Sequence, residues 1–202
     1  MFMLFSRLLG RTRQADPAAL EAFVARQTAF VTQKTVLDYC RVKTGRAERE
    51  AFANPDFAAA LLHCRWQTFA GTALDVTAMA EAWLRPHAPS RETMLAEALA
   101  AIGGAVLDAA PAPEAERATL EAAKRGLLHH LMVLQDAPPL SADRLPLRAE
   151  APLLATIPFH PDQRIGETPS IRGALRFHVV TTQQELERAF DAPAVTARLL
   201  QG

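Results

Sequence analysis

The uneven distribution of prolines is the feature that most constrains how this chain can fold. Seven of the fourteen prolines lie between residues 138 and 169. A proline inside a helix removes a backbone hydrogen bond and clashes with the preceding turn, so long helices need stretches without one. Four such stretches follow one another in the first two thirds of the chain, at 18–54, 56–85, 90–110 and 114–137. We therefore predict three regions: a basic amphipathic segment at 1–15, a helical bundle at 16–136 and a wrapped C-terminal extension at 137–202.

The spacing of apolar residues predicts an antiparallel bundle of about four helices in the second region. The first two helices have clear start signals, because Asp16 and Asn54 are each followed directly by a proline. The second helix has the most regular pattern, with apolar residues alternating four and three apart: Leu62, Trp66, Phe69, Ala73, Val76, Ala80 and Trp83. This apolar seam favours packing at a shallow angle against neighbouring helices.

The C-terminal extension is predicted to contain a short β-strand or hairpin and one or two short helices. Leu175, Phe177 and Val179 alternate with polar residues over 172–181, which is typical of a strand, and residues 153–159 would be its partner. Thr182 with Glu185 then resembles a capping box for a short helix. The predicted fold class is therefore mostly α, with a small β element in a proline-rich extension.

Charge and hydropathy argue against several classes of protein. The chain has 22 basic and 22 acidic residues, whereas a nucleic-acid-binding protein usually has a basic excess. No apolar run is long enough to span a bilayer. Residues 1–9 are mostly apolar, and the basic residues Arg7, Arg11 and Arg13 lie late in this run or after it instead of preceding it, which is the wrong order for a secretory signal. We therefore predict a cytoplasmic location and no nucleic-acid partner.

The N-terminal segment suggests a weak contact with a membrane surface. Arg7, Arg11 and Arg13 lie beside apolar residues and could interact with anionic lipids at the inner face of the membrane. The alternative interpretation is a terminus that is disordered or packed on the protein.

The sequence contains no motif that identifies a catalytic, metal or cofactor site. None of the six histidines has a glutamate three residues before it, and no Cys-x-x-Cys, Gly-x-Ser-x-Gly or phosphate-binding loop occurs. We therefore assign no catalytic residue, no metal and no cofactor. Cys40 and Cys64 are expected to be buried free thiols, although a disulfide between them is left open.

One cluster of polar residues on the first two helices is the candidate ligand site. Arg65, Thr68, Thr72 and Asp75 are spaced three and four apart, so they share one face of the second helix. If this face meets the polar face of the first helix, the two line a cleft. The candidate ligand-binding residues are Gln33, Lys34, Asp38, Tyr39, Arg65 and Asp75. The alternative is a solvated face with one buried ionic network.

Two functions fit these observations. The first is a non-enzymatic helical binding module, an assembly or scaffold factor that holds a protein partner and acts near a membrane. The second is a small-molecule-binding protein or enzyme that uses the polar cleft between the first two helices. A homodimer formed through the apolar seam is a further possibility, and it competes with the use of that seam as the core of the monomer.

Overall fold

The computed structural model describes residues 13–201, and this part of the chain is mostly α-helical, as the sequence predicts. The α-helices are α1 (Pro17–Thr44), α2 (Glu48–Ala53), α3 (Pro55–Leu84), α4 (Glu92–Ala109), α5 (Glu114–Gln135), α6 (Glu150–Thr156), α7 (Thr168–Ala189) and α8 (Ala192–Leu199). No β-strand occurs in the described residues, although Gln14 and Phe190 form an isolated parallel bridge.

The starts of α1 and α3 are the ones that the sequence predicts. The Asp16 carboxylate accepts a hydrogen bond from the backbone N–H of Ala18, and the Asn54 side chain accepts from the N–H groups of Asp56 and Phe57. In both helices a proline follows the cap, where the missing N–H costs nothing. The sequence signals therefore place the beginnings of the two longest helices correctly.

Helix α3 lies at the centre of the molecule and is surrounded by α1, α4, α5 and α6. Every side chain from residue 70 to residue 82 is buried, so this half of the helix is covered on all sides. A seam on one face would leave the opposite face exposed. In the middle of the predicted seam, Ala73, Val76 and Ala80 are fully buried inside the monomer.

The predicted β-strand at 172–181 is wrong, because these residues lie within α7. The buried residues of α7 follow a helical spacing of four, four, three and four: Ile171, Leu175, Val179, Thr182 and Leu186. Phe177, which completed the alternating pattern, is 65% exposed. The predicted partner strand at 153–159 is also wrong, since it overlaps α6, and the Thr182–Glu185 pair lies inside α7 instead of capping a helix.

The C-terminal extension contributes to the same hydrophobic core as the helices before it. Helix α7 packs along α1 and also contacts α3, so the molecule has a fifth long helix beyond the four that the sequence predicts. Ile171, Leu175 and Val179 of α7 belong to one buried cluster with Leu20 and Val24 of α1. The connection between α5 and α6 crosses α3 on its way to α6.

Within residues 13–201, no helix combines the length and the apolar composition that crossing a membrane requires. The predicted membrane contact falls almost entirely on residues 1–12, which lie outside the described residues.

Candidate functional site

The structure places the six predicted ligand-binding residues in separate surroundings. Gln33 and Arg65 line the same cavity between α1 and α3. Lys34 and Asp38 form a partly exposed ion pair of 3.2 Å on α1. The remaining two, Tyr39 and Asp75, hold other parts of the chain in place through hydrogen bonds.

Tyr39 ties the end of α1 to the start of α7. Its hydroxyl donates a hydrogen bond of 2.6 Å to one carboxylate oxygen of Glu167, and the other oxygen accepts from the Lys43 ammonium. Burial, together with the neighbouring Glu167, raises the pKa of Tyr39. Hydrogen bonds from Lys43 and Tyr39 lower the pKa of Glu167. This arrangement stabilises the junction between two helices and presents no open site.

Asp75 anchors the connection between α5 and α6 onto the central helix. Its two carboxylate oxygens accept the backbone N–H groups of Arg148 at 2.6 Å and Ala149 at 3.0 Å. Gly71, one turn earlier, allows this approach, because a Cβ there would lie 2.5 Å from the Ala149 Cα. Burial raises the pKa of Asp75 to about 7, although the two backbone hydrogen bonds act in the opposite direction.

The candidate site is a groove between α1, α3 and the end of α4, which we call the α1/α3 groove. It consists of two adjoining cavities of about 310 Å³ and 220 Å³ that share Ala29, Phe69 and Pro111 as lining residues. The larger cavity is mostly apolar, and small side chains keep it open: Ala18, Ala22, Ala25, Ala105, Ala109 and Ala110. Volumes of this size fall near the lower end of small-molecule sites.

The smaller cavity forms the polar end of the groove and is lined by Thr32, Gln33, Arg65 and Trp66. The Thr32 hydroxyl and the Trp66 indole nitrogen are buried, and neither has a hydrogen-bond partner within residues 13–201. A buried polar group without a partner costs about 1–3 kcal/mol, so a ligand that reached either atom would gain the hydrogen bond that is missing. Arg65 is exposed and forms no ion pair with a carboxylate of the described residues.

The opposite end of the groove has the opposite charge. Glu21 lines the larger cavity near the start of α1, twelve residues before Gln33. At the rise of an α-helix, this separation corresponds to roughly 18 Å along the helix axis. The groove is therefore an elongated apolar channel with a carboxylate at one end and a guanidinium at the other.

Sequence reasoning missed Trp66 as a site residue because it assigned this side chain to the apolar seam. The sequence pattern placed threonines on a polar face but did not show that several of their hydroxyls are buried. Three further threonine hydroxyls of α1 and α3 are buried without a partner in the described residues: those of Thr28, Thr35 and Thr72. The high threonine content of both helices was the available signal, since a solvated face usually carries more lysine and glutamate.

Comparisons of the chain with protein-family models, with curated proteins and with solved structures found no match. In residues 13–201, no group of three or more histidine, cysteine, aspartate or glutamate side chains is placed to hold a metal ion.

Proposed function

We propose that this protein is a non-enzymatic binding module and that its ligand is a medium-chain carboxylate, held in the α1/α3 groove. The observation that carries the proposal is an alanine-lined apolar channel that has, at one end, Arg65 and a buried Trp66 indole N–H, both without a partner within residues 13–201. An apolar chain would be stabilised by about 0.8 kcal/mol for each methylene group that it buries.

The charges at the two ends define the orientation of the ligand. A carboxylate head at the Arg65 end would accept charge-assisted hydrogen bonds from the guanidinium and one from the Trp66 indole nitrogen. The Thr32 hydroxyl lies in the same cavity and can donate as well. At the other end Glu21 would repel an anionic head and favour the apolar tail there.

The proposal is tested by titrating the protein with dodecanoate while recording tryptophan fluorescence and, in parallel, the heat of binding. The chain has two tryptophans, Trp66 and Trp83, and only Trp66 lines the groove. We expect saturable binding by the wild type. In Trp66→Phe the fluorescence change should disappear, while calorimetry should still detect binding with a lower affinity. Dodecanol, which lacks the charge, should bind more weakly than dodecanoate.

A blocking variant and a matched control separate binding in the groove from binding elsewhere. Ala29 is exposed and lines both cavities, so Ala29→Phe should fill the groove without disturbing the core. Ala101 is an exposed alanine of α4 that lines neither cavity, and Ala101→Phe adds the same side chain. Equal affinity of both variants for dodecanoate, or no binding by the wild type, would contradict the proposal.

A scaffold role near a membrane and a protein partner remain predictions from the sequence. Their main support is the basic amphipathic segment, and residues 1–12 of that segment lie outside the described residues. The groove supports a small amphipathic ligand more directly, because its polar atoms converge on one end of an apolar channel.

A further inference from the structure

A separate cavity of about 450 Å³ lies between α5, the middle of α3 and the residues that lead into α6. His129 and His130 of α5 line it together with Arg148. The rest of its lining is apolar or small, and no acidic side chain of the described residues contributes to it. Three nitrogen-bearing side chains thus converge on a space that has no carboxylate in its wall.

The backbone of Arg148 is held firmly although its side chain is exposed. Its N–H donates to Asp75, and the absence of a side chain at Gly71 lets the neighbouring backbone lie directly on α3. The guanidinium itself forms no ion pair within residues 13–201. The fixed backbone sets where this side chain begins, and the guanidinium, which has no ion-pair partner within residues 13–201, is free to bind an anion in the cavity.

His130 lines the inner side of the cavity. Its Nε2 atom is buried and has no hydrogen-bond partner in the described residues. Burial lowers the pKa of His130, and the nearby Arg148 and His129 act in the same direction. An anion between these groups would relieve the electrostatic repulsion among Arg148, His129 and His130. Gly126, on the same wall, leaves open space, because a Cβ there would meet no atom within 4 Å.

We propose that this cavity binds the phosphate group of a small, soluble phosphate monoester. The Arg148 guanidinium can donate two parallel hydrogen bonds to a phosphate group. The remaining terminal oxygens of the phosphate can accept further hydrogen bonds from the imidazoles of His129 and His130. Leu74 and Val133 also line the cavity and would contact the organic part of the ligand. The site is separate from the α1/α3 groove, so this inference does not depend on the proposed function.

The inference is tested with the full chain by following the imidazole proton signals in NMR during titration. The probes are inorganic phosphate and glycerol 3-phosphate, compared with acetate at constant ionic strength. We expect saturable shifts of the His129 and His130 signals, tighter binding of glycerol 3-phosphate than of inorganic phosphate, and no saturation with acetate. Saturation with acetate at the same concentrations, or the absence of saturation with both phosphates, would overturn the proposal.

Three variants connect the response to this cavity. Arg148→Gln should weaken glycerol 3-phosphate binding at least tenfold, whereas Arg144→Gln, which removes an exposed arginine four residues earlier, should leave it unchanged. Gly126→Leu should block the cavity while keeping or raising the melting temperature, because leucine favours a helix over glycine. Binding that survives both Arg148→Gln and Gly126→Leu would overturn the assignment.

The source of the phosphate is resolved by a vesicle assay. The protein is centrifuged with vesicles of phosphatidylcholine alone and with vesicles that also contain phosphatidic acid. We expect no co-sedimentation that depends on Arg148 with either kind of vesicle. Binding to phosphatidic acid that Arg148→Gln abolishes, without binding of glycerol 3-phosphate, would show a lipid headgroup site and overturn the proposal of a soluble ligand.

Discussion

Arg65 and Asp75 belong to one row of polar residues on α3, but the structure gives them opposite surroundings. At the Asp75 end, the connection to α6 covers the helix, and both carboxylate oxygens accept backbone hydrogen bonds. At the Arg65 end the row opens into the α1/α3 groove, where the Trp66 indole nitrogen and the Thr32 hydroxyl have no partner within residues 13–201. A satisfied polar group stabilises the fold, and an unsatisfied one costs stability and favours a role in binding.

Removing the Asp75 carboxylate, at the end of the polar row that is covered by the connection to α6, should have the largest effect on stability. Asp75→Leu keeps a side chain of similar shape but leaves the N–H groups of Arg148 and Ala149 without acceptors. We expect the free energy of unfolding at about pH 5, where the folded protein still holds the Asp75 proton, to fall by about 3 kcal/mol, measured by urea denaturation. Asp75→Asn retains one acceptor oxygen and should lose less. A loss no greater than that caused by Arg65→Leu would show that the two ends do not differ as described.

The same carboxylate should make stability depend on pH. Its pKa is about 7 in the folded protein, above the usual value of 3.8, so the folded state binds the proton more tightly than the unfolded state does. The contribution of Asp75 to stability is therefore fully present below about pH 4 and declines as pH rises towards 7. From about pH 5 to about pH 6.5, the decline should amount to roughly 2 kcal/mol.

This pH dependence is isolated by subtraction. Wild type and Asp75→Asn are unfolded by urea across the same pH range, and the difference between their free energies of unfolding reports the titration of Asp75. The stability advantage of the wild type should shrink as pH rises. A difference that stays constant, or one that grows with pH, would contradict the raised pKa.

At the open end, a charge change should affect binding and leave the fold intact. Arg65→Gln should weaken dodecanoate binding about tenfold, which corresponds to about 1.4 kcal/mol, while the free energy of unfolding stays within about 0.5 kcal/mol of the wild type. Isothermal titration and urea denaturation measure the two quantities. Arg117→Gln, a change at another exposed arginine, is the control and should leave both unchanged.

The sequence predicted the local features of this fold better than those that depend on distant residues. The caps at Asp16 and Asn54 act within a few residues, so their motifs identified the starts of α1 and α3. Helix α7 was missed because Leu175, Phe177 and Val179 alternate, although the proline-free stretch at 170–192 was long enough for a helix. A window that included Ile171 and Leu186 would have shown the helical spacing.

The candidate site depended still more on distant contacts. The role of Asp75 is decided by Arg148, 73 residues further along the chain, and no local pattern indicates that contact. Gln33 and Arg65 line the same cavity, and a shared face of polar residues on each of two facing helices was the pattern that placed both among the candidate residues. Trp66 was overlooked since its spacing fits the apolar seam, and spacing alone does not show that the indole nitrogen lacks a partner.

The smallest expected effect compares two buried threonines, one whose hydroxyl has a hydrogen-bond partner and one whose hydroxyl has none in the described residues. Thr32 has none within residues 13–201, whereas the Thr77 hydroxyl donates a hydrogen bond of 2.7 Å to the Ala73 carbonyl. Because valine replaces the hydroxyl by a methyl group of similar size, Thr32→Val should raise the free energy of unfolding by about 1 kcal/mol. Thr77→Val should lower it or leave it unchanged, since a hydrogen bond is lost.

Thermal and urea unfolding of the two variants measure this difference, and titration with dodecanoate shows its functional side. Thr32→Val should bind the ligand more weakly than the wild type while being more stable, which is the pattern expected when a binding site retains an unsatisfied polar group. Thr77→Val, whose side chain does not line the groove, should bind normally. If Thr32→Val is less stable than the wild type, the Thr32 hydroxyl of the wild type has a hydrogen-bond partner in solution. The polar groups at the Arg65 end would then be satisfied in the same way as those at the Asp75 end.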